Sequence, residues 1–202
     1  MMKVKFCGLK RPCDVLWANR LQPDYVGFVF AGRKRRISDL QAWKLRKLLD
    51  RKIPAVGVFV NEPAEHIIRL VQKDIIQAVQ LHGQEGEADI RRIRQAVICP
   101  IIQAFSLNGD EDVARAEKSG ADYILLDAAR GGSGERFNWK WLCQIRRPFF
   151  LAGGLDPENV RAAIEECHPF GVDTSSGIET AGTKDENKIR AFVSAVRKEE
   201  ES

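Results

Sequence analysis

Two residues that could transfer protons each end a strand-like stretch of the sequence. Cys7 ends the stretch VKFC and is followed at once by Gly8, so its thiol lies where a strand gives way to a loop. A thiol there can act as a base or a nucleophile if its pKa falls from about 8.5 towards neutrality, whereas most buried cysteines are inert. Asp127 ends the apolar stretch YILLD. A partly desolvated carboxyl favours its neutral form, which suits a general acid, and a structural role as a cap or as a partner of Arg130 stays open.

Two stretches rich in glycine and serine could bind a phosphate group. The stretch LAGGL contains Gly153 and Gly154, and GVDTSSGIE contains Ser175, Ser176 and Glu179. Small residues expose backbone N–H groups, and exposed N–H groups bind anions. A plain tight turn is the alternative for the first stretch. The presence of both stretches favours a phosphate site.

Three further segments could contribute to the same site. His82 follows Gln80-Leu81 at the end of a strand-like stretch, and the basic run 33–36 follows another, with Arg35 as its candidate. The glycine-rich stretch AARGGSGERFNW, residues 128–139, could close over a ligand as a lid anchored by its aromatic residues. Its composition equally suits a plain flexible connection.

The elements that must position these residues alternate along the chain. Eight short runs rich in β-branched and aromatic residues are strand candidates: VKFC, DYVGFVF, AVGVFV, AVQL, PIIQAF, DYILL, PFFLA and FGVD. Helical patterns follow them, with a capping box at Ser38-Asp39-Leu40-Gln41 and a cap and first-turn proline at Asp156-Pro157. Predicted helices include 65–73, 111–118, 158–166 and 185–196, and the signal for 111–118 is the weakest.

This alternation predicts the α/β fold class and a single (β/α)8 TIM barrel. Nearly continuous apolar strands separated by helices indicate parallel strands that are covered by helices. A doubly wound open sheet is the alternative, but its usual GxGxxG phosphate loop is absent after the first strand, which continues as CGLKRP. In a barrel the active site lies at the C-terminal ends of the strands, so the candidate residues are expected to meet there.

Composition limits the classes of function. The chain of 202 residues is 44% hydrophobic and 30% charged, which predicts one soluble domain spanning residues 1–202. Neither a membrane-spanning run nor a signal segment is evident, so we expect a cytoplasmic protein that does not bind a membrane. Five cysteines without a CxxC pair predict neither disulfides nor a metal site. The net charge of +4 suits a small anion better than a nucleic acid.

The sequence resembles the phosphoribosylanthranilate isomerase family of tryptophan biosynthesis. The resemblance runs in order through VKFCGLK, GFVF with KRRIS, VGVFVN, VQLHG, LLDA, GGSGERFNW, LAGGLDPENV, VDTSSGIE and KDENKIRAFV. It implies a (β/α)8 barrel that carries out an Amadori rearrangement of a phosphosugar without a cofactor. It also implies that Asp127 is the general acid and Cys7 the general base. The phosphate would bind at Gly153-Gly154 and Ser175-Ser176-Gly177, and Arg35 would face the anthranilate carboxylate.

Two departures from the family pattern and several alternatives accompany this resemblance. The stretch FAGRKRR is one residue shorter than in long-loop members, and Thr174 stands where valine is usual. A related barrel, indole-glycerol phosphate synthase, would need catalytic lysines at strand ends, whereas Lys3 and Lys5 begin a strand. A phosphometabolite-binding barrel without catalytic activity is the alternative from another class. Both a monomer and a homodimer fit the sequence.

Overall fold

Eight parallel strands close into a barrel in the computed structural model, which describes residues 2–107, 109–127, 142 and 144–197. Each strand pairs with the next along the chain, and the first pairs with the last. The strands are β1 Lys3–Cys7, β2 Tyr25–Val29, β3 Ala55–Phe59, β4 Ala78–Leu81, β5 Ile101–Phe105, β6 Tyr123–Asp127, β7 Phe149–Ala152 and β8 Gly171–Thr174. The predicted barrel is therefore confirmed, because a doubly wound open sheet leaves its edge strands unpaired.

Helices follow the strands around the outside of the barrel. Within the described ranges they are α1 Pro12–Leu21, α2 Asp39–Leu48, α3 Ala64–Gln72, α4 Glu87–Ala96, α5 Asp110–Lys118, α6 Val160–Cys167 and α7 Glu186–Arg197. The weakly signalled helix before β6 is thus a nine-residue helix. The proposed lid at 128–139 lies outside the described residues. None of the helices in the described ranges is long and apolar enough to span a bilayer.

Two helix starts differ in detail from the sequence prediction. Ser38 Oγ accepts a hydrogen bond from the N–H of Gln41 at 3.2 Å, as a capping box requires. The side chain of Gln41 donates to the carbonyl of Lys10 instead of completing the box. The Asp156 side chain accepts hydrogen bonds from the N–H groups of Glu158 and Asn159, in a turn that precedes α6. That helix therefore begins two residues later than predicted.

The barrel interior is layered from an apolar floor to a polar mouth. Near the N-terminal ends of the strands, Phe150 makes edge-to-face contacts with Tyr25, Tyr123 and Phe170 at centroid distances of 5.8, 5.9 and 5.5 Å. Side chains alternate in direction along a strand, so every second residue points into the barrel. Above the aromatic floor this alternation places charged and amide side chains, and the candidate site lies above them.

Candidate active site

The candidate residues surround one cavity of about 530 Å³ at the C-terminal end of the barrel. Eight of the ten predicted site residues line it: Cys7, Arg35, His82, Asp127, Gly153, Gly154, Ser175 and Ser176. Glu179 lies behind the wall of the cavity and contacts Arg35, which lines it, and Gly177 follows the lining residue Ser176 and packs against Leu155. Closure of the barrel therefore gathers residues from strands that are far apart in the chain.

Cys7 occupies the inner wall of this cavity. It ends β1 and is only 8% exposed, so its thiol has little contact with water. Burial raises the pKa of Cys7, the charge of Lys5 opposes that rise, and Asp173 adds to it. Desolvation outweighs the nearby cations in this balance, so a role as base depends on how strongly those cations stabilise the thiolate.

Asp127 ends β6 and faces His82 across the mouth. Its Oδ2 lies 3.5 Å from His82 Nε2, and the other ring nitrogen lies 3.2 Å from Gln80 Nε2. The Gln80 side chain is buried in the barrel, and among the described residues its Oε1 has no hydrogen-bond partner. Gln80 lines the cavity, so this oxygen can accept a hydrogen bond from a ligand. The predicted alternative partner of Asp127, Arg130, lies outside the described residues.

Arg33, Lys34 and Arg35 of the basic run all line the cavity, and Arg35 is the one that an ion pair with Glu179 holds there. Its guanidinium donates to both carboxylate oxygens of Glu179, and Lys184 Nζ donates to Glu179 Oε1 at 2.8 Å. Burial alone would raise the pKa of Glu179, but the bonds and charges of Arg35 and Lys184 lower it to about 2. Arg36 is exposed and lines a separate surface groove. Glu179 is therefore ionised and holds Arg35 in place.

The two small-residue loops lie against each other. Gly153 and Gly154 adopt φ values of 97° and 68°, which favour glycine and turn the backbone sharply after β7. A Cβ on Gly177 would collide with the carbonyl oxygen of Leu155, so only glycine allows the loops after β7 and β8 to approach so closely. Thr174 Oγ1 donates to that same carbonyl at 2.6 Å. Thr174, which stands where valine is usual in the family, thus connects the two loops.

Four side chains near the site did not follow from the sequence reasoning: Lys5, Gln80, Asp173 and Lys184. Lys5 lies two residues before Cys7, and the two-residue period of a strand could have placed both on the inner face. Asp173 could have been found in the same way from Ser175. Lys184 carried no such signal, because it reaches the site from a two-stranded hairpin, Glu179–Thr180 and Thr183–Lys184.

Among the residues that the structure describes, the other thiols and acidic groups form no metal site. Within the described ranges, no group of three or more His, Cys, Asp or Glu side chains could hold a metal ion. Cys13, Cys99 and Cys167 are partly buried and do not line the candidate cavity. Cys143 lies outside the described residues.

Comparisons with known proteins agree with this geometry. The family model described as N-(5'phosphoribosyl)anthranilate (PRA) isomerase matches residues 4–195. The N-(5'-phosphoribosyl)anthranilate isomerase of Endomicrobium trichonymphae is 45% identical over 201 residues, which cover 98% of this chain and 99% of that protein. A crystal structure of phosphoribosyl anthranilate isomerase in complex with reduced 1-(o-carboxyphenylamino)-1-deoxyribulose 5-phosphate superposes with a TM-score of 0.84 at 35% identity, covering 98% of this chain and all of that one.

A second solved structure contains monomers generated from the dimeric phosphoribosylanthranilate isomerase of Thermotoga maritima. It has a TM-score of 0.82 and 36% identity, and the match covers 98% of this chain and 99% of that one. Sequence, family model and fold thus agree over nearly the whole chain. The chain therefore belongs to the N-(5'-phosphoribosyl)anthranilate isomerase family, the isomerases of tryptophan biosynthesis.

Proposed function

We propose that this protein converts N-(5-phospho-β-D-ribosyl)anthranilate into 1-(2-carboxyphenylamino)-1-deoxy-D-ribulose 5-phosphate, with Asp127 as general acid and Cys7 as general base. One observation carries this proposal: both side chains line a single cavity that two glycine- and serine-rich loops also border. An acid, a base and an anion-binding wall are what an Amadori rearrangement of a phosphosugar needs. No cofactor takes part in the proposed reaction.

The substrate would be held at both ends of the cavity. Its phosphate would bind the backbone N–H groups around Gly153-Gly154 and Ser175-Ser176-Gly177, because exposed amides stabilise a dianion. Arg35 would face the anthranilate carboxylate. Glu179 uses Nε and Nη2 of Arg35, which leaves the two N–H groups of Nη1 for a ligand. Binding of both the phosphate and the carboxylate of the substrate would position the ribose between the acid and the base.

Asp127 would begin the reaction by giving its proton to the ribose ring oxygen. The C1–O bond then breaks as the lone pair of the anthranilate nitrogen forms a Schiff base. The Cys7 thiolate would remove the proton from C2, and the electrons of that C–H bond would neutralise the iminium nitrogen and form an enolamine. Tautomerisation of the enolamine gives the ketone. Each positioned proton transfer contributes roughly 10²–10⁴-fold to the rate.

The proposal is tested by following the loss of substrate fluorescence, with the substrate generated in situ and the purified protein added alone. Wild type should consume the substrate rapidly, whereas Cys7→Ser and Asp127→Asn should lose at least about 10²-fold in kcat while still binding a product analogue. Cys13→Ser is the matched control, because this thiol lies on α1 away from the cavity. Full turnover by either site variant would remove that residue from the mechanism.

Three further proposals accompany this function. Residues 1–202 would form one catalytic domain, and the protein would act in the cytoplasm on a small phosphosugar, with neither nucleic acid nor membrane as a partner. The protein would be a monomer or a homodimer, and the dimeric Thermotoga maritima relative supports the second of these. Sedimentation of the purified protein with and without substrate analogue measures the oligomeric state directly.

A further inference from the structure

A lysine side chain lies entirely inside the barrel beneath the candidate site. Lys5 has no exposed surface, although lysine is almost never fully buried without a partner. One partner is Asp173, whose Oδ1 lies 3.0 Å from Lys5 Nζ. The two residues are opposite each other in the register of β1 and β8, so the closure of the barrel creates this pair.

The thiol of Cys7 is the second group beside Lys5, and the charge of Lys5 acts to lower the pKa of that thiol. Residues 5 and 7 lie on the same face of β1, since side chains alternate along a strand. Gly27 is opposite Cys7 in the register, and a Cβ added there would lie 2.9 Å from Cys7 Sγ and 3.3 Å from Lys5 Nζ. The absence of a side chain at Gly27 thus leaves the space that the sulfur and the ammonium group share.

We propose that Lys5 is a positioning residue for the isomerase reaction: its ammonium group holds the sulfur of Cys7 and stabilises the thiolate that removes the C2 proton. This inference rests on the proposed role of Cys7 as base. Lys5 does not contact the substrate in this proposal, because it lies below the cavity wall and acts only through the thiol. Asp173 keeps the ammonium group of Lys5 charged. Its own negative charge partly offsets the stabilising effect of that ammonium group on the thiolate.

The charges around Cys7 support this division of roles. Lys5 on β1, Lys184 on the hairpin and Arg35 after β2 are basic residues around the thiol, and Asp173 on β8 is acidic. Burial raises the pKa of Asp173 and lowers that of Lys184, and the charge of Lys5 opposes the rise at Asp173. Burial raises the pKa of the thiol, Lys5 is the largest influence that lowers it, Asp173 raises it and Lys184 lowers it. Burial also acts to lower the pKa of Lys5, but Asp173 and Cys7 together raise it above its usual value. Lys5 therefore stays protonated beside the thiol.

The test is the pH dependence of Cys7 alkylation by iodoacetamide, because only the thiolate reacts. The modified Cys7 peptide is quantified by mass spectrometry in the ligand-free protein, and the pH at half-maximal rate is the midpoint. Lys5→Met should raise this midpoint relative to wild type, and each unit of increase slows alkylation about tenfold at a pH below the midpoint. Lys3→Met is the matched control, since Lys3 lies on the same strand but pairs with Asp24. Its midpoint should equal that of wild type.

A second comparison removes the risk that Lys5→Met fails to fold with Asp173 left unpaired. Asp173→Asn and the double variant Lys5→Met/Asp173→Asn contain no buried orphan carboxylate. Compared with Asp173→Asn, the double variant should have a higher alkylation midpoint and a lower kcat. Both variants should bind a product analogue with similar affinity. Equal midpoints in this pair would overturn the inference. Full turnover by Cys7→Ser would instead overturn the proposed base and with it the role of Lys5, so the two failures are distinguishable.

Discussion

Arg35 and Glu179 lie 144 residues apart in the chain and form two parallel hydrogen bonds, 2.7 Å from Nε to Oε1 and 2.8 Å from Nη2 to Oε2. Lys184 Nζ also donates a hydrogen bond to Oε1 of this carboxylate. A guanidinium fixed along one edge presents its remaining N–H groups in a defined direction. The hairpin that follows β8 therefore orients an arginine on the loop after β2.

Replacing Glu179 by Gln should raise the KM for the substrate about tenfold, because the loss of one charged hydrogen-bonded pair costs roughly 1.5 kcal/mol or more. The kcat should change less, since neither proton-transfer residue is altered. Steady-state kinetics with the fluorescent substrate measures both constants. Glu186→Gln is the control, as Glu186 pairs with Arg20 and Arg190 on the surface, where ion pairs contribute little. An unchanged KM in Glu179→Gln would show that Arg35 needs no such support.

Acid should destabilise the wild type more steeply than Glu179→Gln. The pKa of Glu179 is lowered from 4.5 to about 2, so its ionised form stabilises the folded protein above the unfolded value. That contribution is lost as the pH falls through the folded value, between about pH 5 and pH 2. The free energies of unfolding from urea titrations should therefore converge over this range. Curves that stay parallel would contradict the assigned pKa.

Gly177→Ala should weaken substrate binding by separating the two loops of the proposed phosphate site. The added methyl group would collide with the Leu155 carbonyl oxygen, and an unrelieved overlap costs typically about 1–3 kcal/mol, or about 5- to 150-fold in KM if the loops move. Gly86→Ala serves as the control for KM, because a methyl group there meets no atom within 4 Å. Equal KM values for the two variants would show that the loops act independently.

Phe150→Ala should lower the free energy of unfolding by about 3–5 kcal/mol, the usual cost of removing a buried aromatic ring. This residue is fully buried and contacts three other aromatic rings in the floor of the barrel. Phe150→Leu keeps most of the apolar volume and should lose less. Urea unfolding at neutral pH measures both variants. A loss below about 1 kcal/mol for Phe150→Ala would mean that the floor repacks around the gap.

The sequence predicted the strands more closely than the helix ends. β4 has the predicted bounds, and each of the other strands differs by one residue at one or both ends. Alternation and apolar character are local properties, so they can be read without knowledge of neighbours. The start of α6 was predicted too early because Asp156 caps a turn before the helix, and a cap residue in the sequence does not specify how many residues separate it from the first helical turn.

By itself, the sequence determined the order of strands and helices, the positions of Cys7 and Asp127 at strand ends, and the two small-residue loops. These features depend on residue type and short spacing, which the chain contains directly. The tertiary structure decided which charges meet. Lys5 pairs with Asp173 across 168 residues, and Arg35 pairs with Glu179, only because β1 closes on β8. The protonation of Cys7 depends on those neighbours and on burial, and neither exists until the barrel has formed.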